Sequence, residues 1–386
     1  MYAVWALWVD ANPLRHFWWG SEGQFSQCLP FIMLLLWVVW WPKGKHLPVV
    51  VRNVGMDAIQ LTSGFKKMVE PRDFRDVWPY FEVYVAGRGQ PRYMMSPMVQ
   101  ASTKDYWHGI VDGCLCMLKR RQMMGHPTMY LIVPPIHLQG DVAVEKAVMG
   151  KFFDAGVHAH LSPADLVAYG MAVGGANLEH LPLYDEFLYT AGDLASITER
   201  SKTARYNCKQ ARVAGATQVW RGGTGAALLT ADEYDQCVGI AHHWREVRTK
   251  QWSSKLPYFP RFFNQWANEY PDRYGCWLLV GPGGTVLYYA ITEQISSKGI
   301  SILAALRNYR DTTTVKNPLW AEMQAGGERW AALAGADAWM NKGSSGGDKG
   351  LAASKSKFRP CQLMPLYKYG GHKLKYAEWK QTCQSE

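Results

Sequence analysis

Acid is scarce in this chain. Asp and Glu number 32 against 42 Lys and Arg, and charged residues make up only 19% of the 386, so the net charge of +10 comes partly from missing carboxylates. A pI near 9.1 predicts attraction to polyanions such as nucleic acid, anionic lipid or a phosphate-rich cofactor, without choosing among them. Paired cysteines are lacking too. The eight, at 28, 114, 116, 208, 237, 276, 361 and 383, show no C-x-x-C spacing, which argues against a zinc knuckle or a disulfide framework and for reduced thiols. His158-Ala-His160 and His242-His243 have no acidic or cysteine partner at ligand spacing, so no metal is expected. Long apolar runs are missing as well. Phe31 to Trp41 holds eleven residues between Pro30 and Pro42, short of the roughly 20 that cross a bilayer, and reads as a buried strand. Asp10, Arg15 and His16 break up the early apolar residues, so no signal peptide is read and a cytoplasmic protein is expected.

Material for folding is abundant. Hydrophobic residues make up 48% of the chain, with 18 Trp among them, enough for two domains of ordinary size. The tryptophans are expected mainly in cores and interfaces, with a minority free to stack on a planar ligand. Short apolar and β-branched pieces at Met1 to Val9, Phe31 to Trp41 and Pro48 to Val54 read as strands. Asp105 to Met124 reads as a helix, because Trp107, Ile110, Val111, Cys114 and Leu118 fall on one side of a 3.6-residue period; Lys119-Arg-Arg121 would then meet its C-terminal dipole. Met129 to Val133 reads as a strand, Val142 to Ala155 as a helix and Val157 to Leu161 as a strand.

The second half repeats this grammar. Helices are expected at Ala195 to Ala214, ended by Gly215, and at Ala231 to Lys250 and Tyr258 to Glu269. Thr217 to Arg221 reads as a strand. Trp277 to Val280 and Thr285 to Thr292 form a hairpin about Gly281-Pro-Gly-Gly284. Ile300 to Tyr309 is a further strand, and a helix over Pro318 to Ala334, capped by Asn317 and ended by Gly335, leads into a strand from Ala336 to Asn341. The order predicts an α/β (α+β) protein, each half a mixed, mainly antiparallel sheet flanked by helices, with a boundary placing residues 1–190 in one domain and 191–386 in the other.

Two stretches carry candidate chemistry. Lys202, Arg205, Lys209 and Arg212 recur at helical spacing on one face, which suits an anion or a solvated surface equally. Trp339 to Pro360 joins a strand end, an Asn341-Lys342-Gly343 turn, a Gly/Ser arm and a helix-like run with Lys355, Lys357, Phe358 and Arg359, so glycine amides and lysines lie together as an anion holder would need.

The basic helix, the hairpin, the helix ending at Gly335, then Trp339-Met-Asn341-Lys-Gly343, Gly350-Leu351, Lys355 and Phe358-Arg-Pro360 together resemble the C-terminal domain of tandem GNAT-fold acyltransferases. The pattern is most similar to Fem-type aminoacyl transferases and the phosphatidylglycerol lysyltransferase catalytic domain, and spans residues 185 to 369 or so. The resemblance implies tandem GNAT-like domains, the first a degenerate copy and the second catalytic. It implies acyl or aminoacyl transfer from acyl-coenzyme A or aminoacyl-tRNA to an amine or hydroxyl, by direct attack. Glu293 would serve as base and Tyr309 as proton donor to the leaving group. Lys202, Arg205, Lys209, Arg307, Asn341, Lys342, Gly343, Lys355 and Phe358 would bind the anionic donor. The coenzyme A pyrophosphate motif is wanting: Gln324-Ala-Gly-Gly-Glu-Arg329 has Arg where a small residue belongs and lies within an expected helix, and Arg221-Gly-Gly-Thr-Gly-Ala226 fails at its fourth position. Two rivals stand beside this reading: a GNAT-like enzyme that modifies nucleic-acid bases in tRNA or DNA, and a non-catalytic polyanion-binding protein.

Overall fold

The structure is a computed structural model, which describes residues 64–370 apart from 104, 124–125, 173–177, 224–226, 248–254, 311–314, 316, 347, 359 and 361. The strands expected at Met1 to Val9, Phe31 to Trp41 and Pro48 to Val54 lie outside the described residues, as does Arg359.

The first half runs β1 (Lys66–Lys67), α1 (Trp78–Arg88), α2 (Pro97–Thr103), β2 (Tyr106–Val111), β3 (Cys114–Met123), β4 (His126–Leu131), β5 (Ile136–His137), α3 (Val142–Asp154), β6 (His158–Leu161), α4 (Pro163–Ala168) and β7 (Leu178–His180). The second runs β8 (Glu186–Thr190), α5 (Ala191–Ala195), α6 (Ile197–Arg200), α7 (Lys202–Val213), β9 (Thr217–Gly222), α8 (Ala231–Val247), α9 (Tyr258–Glu269), β10 (Tyr274–Val280), β11 (Val286–Ser296), β12 (Gly299–Arg307), α10 (Leu319–Ala334), β13 (Trp339–Ser344), α11 (Lys349–Ser356), β14 (Gln362–Met364) and β15 (Tyr367–Gly370).

Local chemistry explains most of these elements. Asp141 caps α3 through the amides of Ala143 and Val144, and Ser201 separates α6 from α7 by capping the latter at Ala204. The hairpin between β10 and β11 turns on Gly283 and Gly284, at φ 82° and 85°. One expectation is overturned: Asp105 to Met124 is not a helix but the antiparallel pair β2–β3, in register from Tyr106↔Lys119 to Val111↔Cys114. Its turn is Asp112-Gly113, with positive φ at both residues (47° and 78°). An Asp-Gly turn of that hand matches the twist of paired strands, and it overrides a helical spacing that the apolar residues also satisfy. The helix expected from Pro318 starts one residue later, and Pro318 itself occupies the cap without a side-chain bond.

Among the described residues the strands form two sheets. One has eight strands, in the order β1-β2-β3-β4-β6-β15-β7 with β5 beside β3; the other has seven, ordered β14-β8-β13-β12-β11-β10-β9. Each is antiparallel but for one parallel pair, β4 with β6 and β12 with β13, joined in both cases through a helix, α3 or α10. The two halves thus repeat one plan, as expected. β8 follows directly on the first half's strands, and β15 leaves the second sheet to pair with β6 and β7 of the first. The halves also share a core, in which Phe74 packs on Trp266 at 5.4 Å and Trp78 on Tyr270 at 5.7 Å between ring centres. Trp266, Trp277, Trp320 and Trp330 are buried, as the core reading of tryptophan expects. Among the described residues no helix is long and apolar enough to cross a membrane.

Candidate functional site

β12 and β13 pair only from Gly299↔Trp339 to Ser301↔Asn341. Beyond that point they diverge, and a cavity of about 800 Å³ opens between Ile302 to Arg307 on one strand and Lys342 to Ser344 on the other. Backbone groups along a strand that has lost its neighbour are free to bond a guest laid into the gap.

The divergence has a visible cause in the sequence around Asn341. The Asn341 side chain accepts from the Gly343 amide at 2.7 Å and donates to the Pro91 carbonyl at 2.8 Å and to Glu186 at 2.6 Å, and the strand bulges there, its register with β8 shifting between Asn341 and Ser344. Gly343 sits at φ 65°, where a side chain would be strained, and a Cβ there would meet the Tyr93 ring at 2.9 Å. The Lys355 amine then draws three successive carbonyls toward α11: Lys342 at 2.5 Å, Gly343 at 3.0 Å and Ser344 at 2.7 Å. Three acceptors ask for the three protons of an ammonium group. Burial nevertheless pushes the Lys355 amine down to about 7, helped by the charge on Lys342 and opposed by Glu186.

The charged lining of the cavity is Lys255, Arg307, Lys342, Lys355 and Lys357 against Asp348, whose carboxylate caps α11 at the Leu351 amide. A pocket so biased favours an anion. Arg307 stacks on Tyr309, 3.9 Å from the guanidinium to the ring centre, and Tyr309 packs on Trp244. The Lys342 amine is buried on the face of Phe358, 4.4 Å from its centre, with the Met323 sulfur at 3.4 Å. Burial lowers it to about 8, against the pull of Glu322. Glu322 on α10 is itself buried, and desolvation raises it to about 7 although Lys342 and Tyr288 act the other way. The first half contributes Tyr93, Met94 and Val99 to the wall, and the Tyr93 hydroxyl bonds the Leu303 carbonyl at 3.3 Å.

Of the residues singled out in the sequence, Arg307, Tyr309, Lys342, Gly343, Lys355 and Phe358 meet around this cavity. Asn341 shapes it from behind without lining it. Glu293 is placed elsewhere: fully buried, it accepts hydrogen bonds from the hydroxyls of Ser96 and Tyr274 behind the cavity wall. Burial raises its carboxyl to about 7 while those hydroxyls act downward. Lys202, Arg205 and Lys209 lie along the exposed face of α7, and only the start of that helix, Ser201 and Thr203, reaches the cavity. Arg205 instead bonds the carbonyls of Thr198 and Glu199 and lines a separate cleft of about 570 Å³ with Arg212. The sequence reading missed Tyr288, Glu322, Lys255 and Trp244. Glu322 alone left a trace, as an acid on what would otherwise be the buried face of a helix.

The corresponding gap in the first half is filled. Where β4 and β6 part, the buried Arg92 guanidinium donates to the carbonyls of Ile132 at 3.2 Å and His160 at 3.3 Å, and it faces Asp165 at 3.5 Å and Glu186 at 3.9 Å. About 10 Å³ is left there. Among the described residues no group of His, Cys, Asp and Glu is arranged to hold a metal ion.

No family model and no curated protein matches the chain. Solved structures do resemble it. A conserved protein of unknown function from Bacteroides thetaiotaomicron superposes with a TM-score of 0.56 at 15% identity, over 79% of this chain and 98% of that one. L-PGS from Bacillus licheniformis does so at 0.53 and 12% identity, over 83% and 98%. The C-terminal domain of a protein assigned as a lysylphosphatidylglycerol synthetase in Agrobacterium fabrum gives 0.51 and 14%, over 77% and 92%. At such identities the likeness is one of fold. The two mixed, mainly antiparallel sheets flanked by helices that the sequence led one to expect are the fold of this chain, and these structures share it.

Proposed function

We propose that the chain transfers an acyl or aminoacyl group from an activated, anionic donor to an amine or hydroxyl acceptor by direct attack. The observation that carries this reading is the parting of β12 from β13 over a cavity with a basic lining. An extended donor lying in the gap can bond the exposed edge of β12 while its phosphates meet Lys255, Arg307 and Lys357. Backbone amides aimed at the acyl carbonyl would stabilise the oxyanion that forms on attack. The side of the cavity built by Tyr93, Met94 and Val99 is where the acceptor would enter.

Acyl-coenzyme A and aminoacyl-tRNA are the two donor classes. We place aminoacyl-tRNA first on three grounds. Gln324 to Arg329 lies inside α10, where its amides are committed to the helix instead of a pyrophosphate. The A. fabrum protein carries a name that denotes an aminoacylated lipid product. The exposed cations of α7, which begins at the cavity, offer a track for a nucleic-acid backbone. A cytoplasmic setting belongs to the same proposal.

The test offers the purified protein charged tRNAs and acyl-coenzyme A thioesters with amine and hydroxyl acceptors, and follows donor loss and product mass. Acceptor-dependent consumption of one donor supports the reading. A protein that binds nucleic acid with a steep salt dependence but turns over neither donor would instead be a polyanion-binding protein.

A further inference from the structure

The floor of the cavity holds a group of buried polar side chains with few partners. The Tyr288 hydroxyl and the Glu322 carboxyl face each other closely enough to interact, but neither the hydroxyl nor Glu322 Oε2 makes a hydrogen bond of good geometry. The Lys342 amine, buried beside them, makes its one described polar contact to a thioether sulfur. This differs from Lys355, whose amine is held by three carbonyls. A buried ammonium ion without oxygen acceptors costs far more than a neutral amine in the same place. Tyr288 and Lys342 both line the cavity, while Glu322 stands behind them on α10.

We propose that Lys342, as a neutral amine, takes the proton released by the acceptor and returns it to the leaving group, with Glu322 as the counter-charge that positions it and Tyr288 as the hydroxyl that polarises the site. This rests on the acyl-transfer reading above. The acceptor nitrogen or oxygen forms a bond to the acyl carbon, and the bond from that carbon to the donor's sulfur or ribose oxygen breaks. The acceptor's proton passes to the Lys342 Nζ, making an ammonium ion that Glu322 stabilises. That ion then protonates the departing sulfur or oxygen and becomes a neutral amine again, so atoms and charge balance without a further reagent. The titratable groups facing Lys342 are Glu322 from α10, Tyr288 from β11 and Lys355 from α11; burial lowers its proton affinity, Glu322 raises it, and the charge on Lys342 in turn lowers that of Lys355.

Two measurements test this on the full chain. The first needs no turnover: acetic anhydride labelling across pH 6 to 11, read at each lysine by mass spectrometry. Lys342 should reach half its maximal labelling near pH 8, and Glu322→Gln should move that point to lower pH by removing the negative charge. Half-labelling near 10.5, as for surface lysines, or no movement in Glu322→Gln, overturns the proposal even if no donor is ever found. The second uses whichever donor is consumed. Lys342→Arg keeps the cation and the stem but cannot release a proton, so kcat should fall at least about 100-fold with KM within about threefold. Glu322→Gln should carry the acid limb of the kcat/KM profile downward with the labelling midpoint. An active Lys342→Arg enzyme would mean that only the charge matters, and the proposal falls. Failure of the wild type to consume any donor would remove the acyl-transfer reading, while the labelling result would still stand on its own.

Discussion

Replacement of Glu293 by Gln separates a buried structural acid from a catalytic base. Glu293 sits on β11 with no exposed surface and accepts from Ser96 of the first half and Tyr274 of β10, so it ties the two halves together at one point. Its carboxyl is raised from 4.5 to about 7 by burial. Such a group keeps its proton in the folded chain after losing it in the unfolded one, so its contribution is complete below about pH 4.5 and is lost as pH rises through about 7. At about 1.4 kcal/mol per tenfold change in proton affinity, the loss across that window is about 3 kcal/mol. Gln at 293 does not titrate. Ser96 and Tyr274 can reorient their hydroxyls to suit an amide, at a cost of about 1 kcal/mol for the poorer bonds. Denaturant unfolding at intervals from pH 4 to 8.5 should therefore show Glu293→Gln slightly less stable than wild type in acid and equal or more stable above pH 7.5. Turnover should stay within about threefold, because Glu293 does not line the cavity. Parallel stability curves would refute the buried-acid argument; a turnover loss of tenfold or more with normal stability would restore Glu293 as base.

Lys355→Met should lower stability by about 3 kcal/mol, since three carbonyls lose their donor; a change below about 1 kcal/mol in denaturant unfolding would show that β13 bends without it. Gly343→Ala forces a positive φ on a residue with a Cβ and drives that atom into Tyr93, the residue that braces the far wall through Leu303. A loss of about 2 kcal/mol and weaker donor binding are expected, and a variant that keeps wild-type stability would count against the tight approach.

Local chemistry was legible where the chain punctuates itself. Gly281 to Gly284 announced its hairpin, and Gly215 and Gly335 the ends of their helices, whereas the Asn341-Lys-Gly343 segment and Lys355 were read as an anion holder and only the structure shows them reshaping the sheet. The same reading failed at Asp105 to Met124, where spacing was weighed above the Asp112-Gly113 turn at its centre. Tyr288 and Glu322 were missed for another reason. One lies in an apolar strand and the other in a helix about thirty residues away, and although Glu322 falls on a buried helix face, nothing near either in sequence shows that the two meet. The basic face of α7 was read correctly as a face, but only the fold shows that just its first turn reaches the cavity.

By itself, then, the sequence determined the main helices and strands from Val142 to Asn341, to within a few residues, and the basic character of the Trp339 to Pro360 segment, because these follow from spacing, caps and turns that are local. The tertiary structure decided which parallel pair stays open. Arg92 fills the gap in the first half, whereas Lys355 props the second apart. It also decided which carboxylates and amines lose water. Those outcomes depend on contacts between residues far apart in the chain, such as Asn341 with Pro91 and Lys342 with Glu322, and on a dielectric environment that exists only once the sheets have packed.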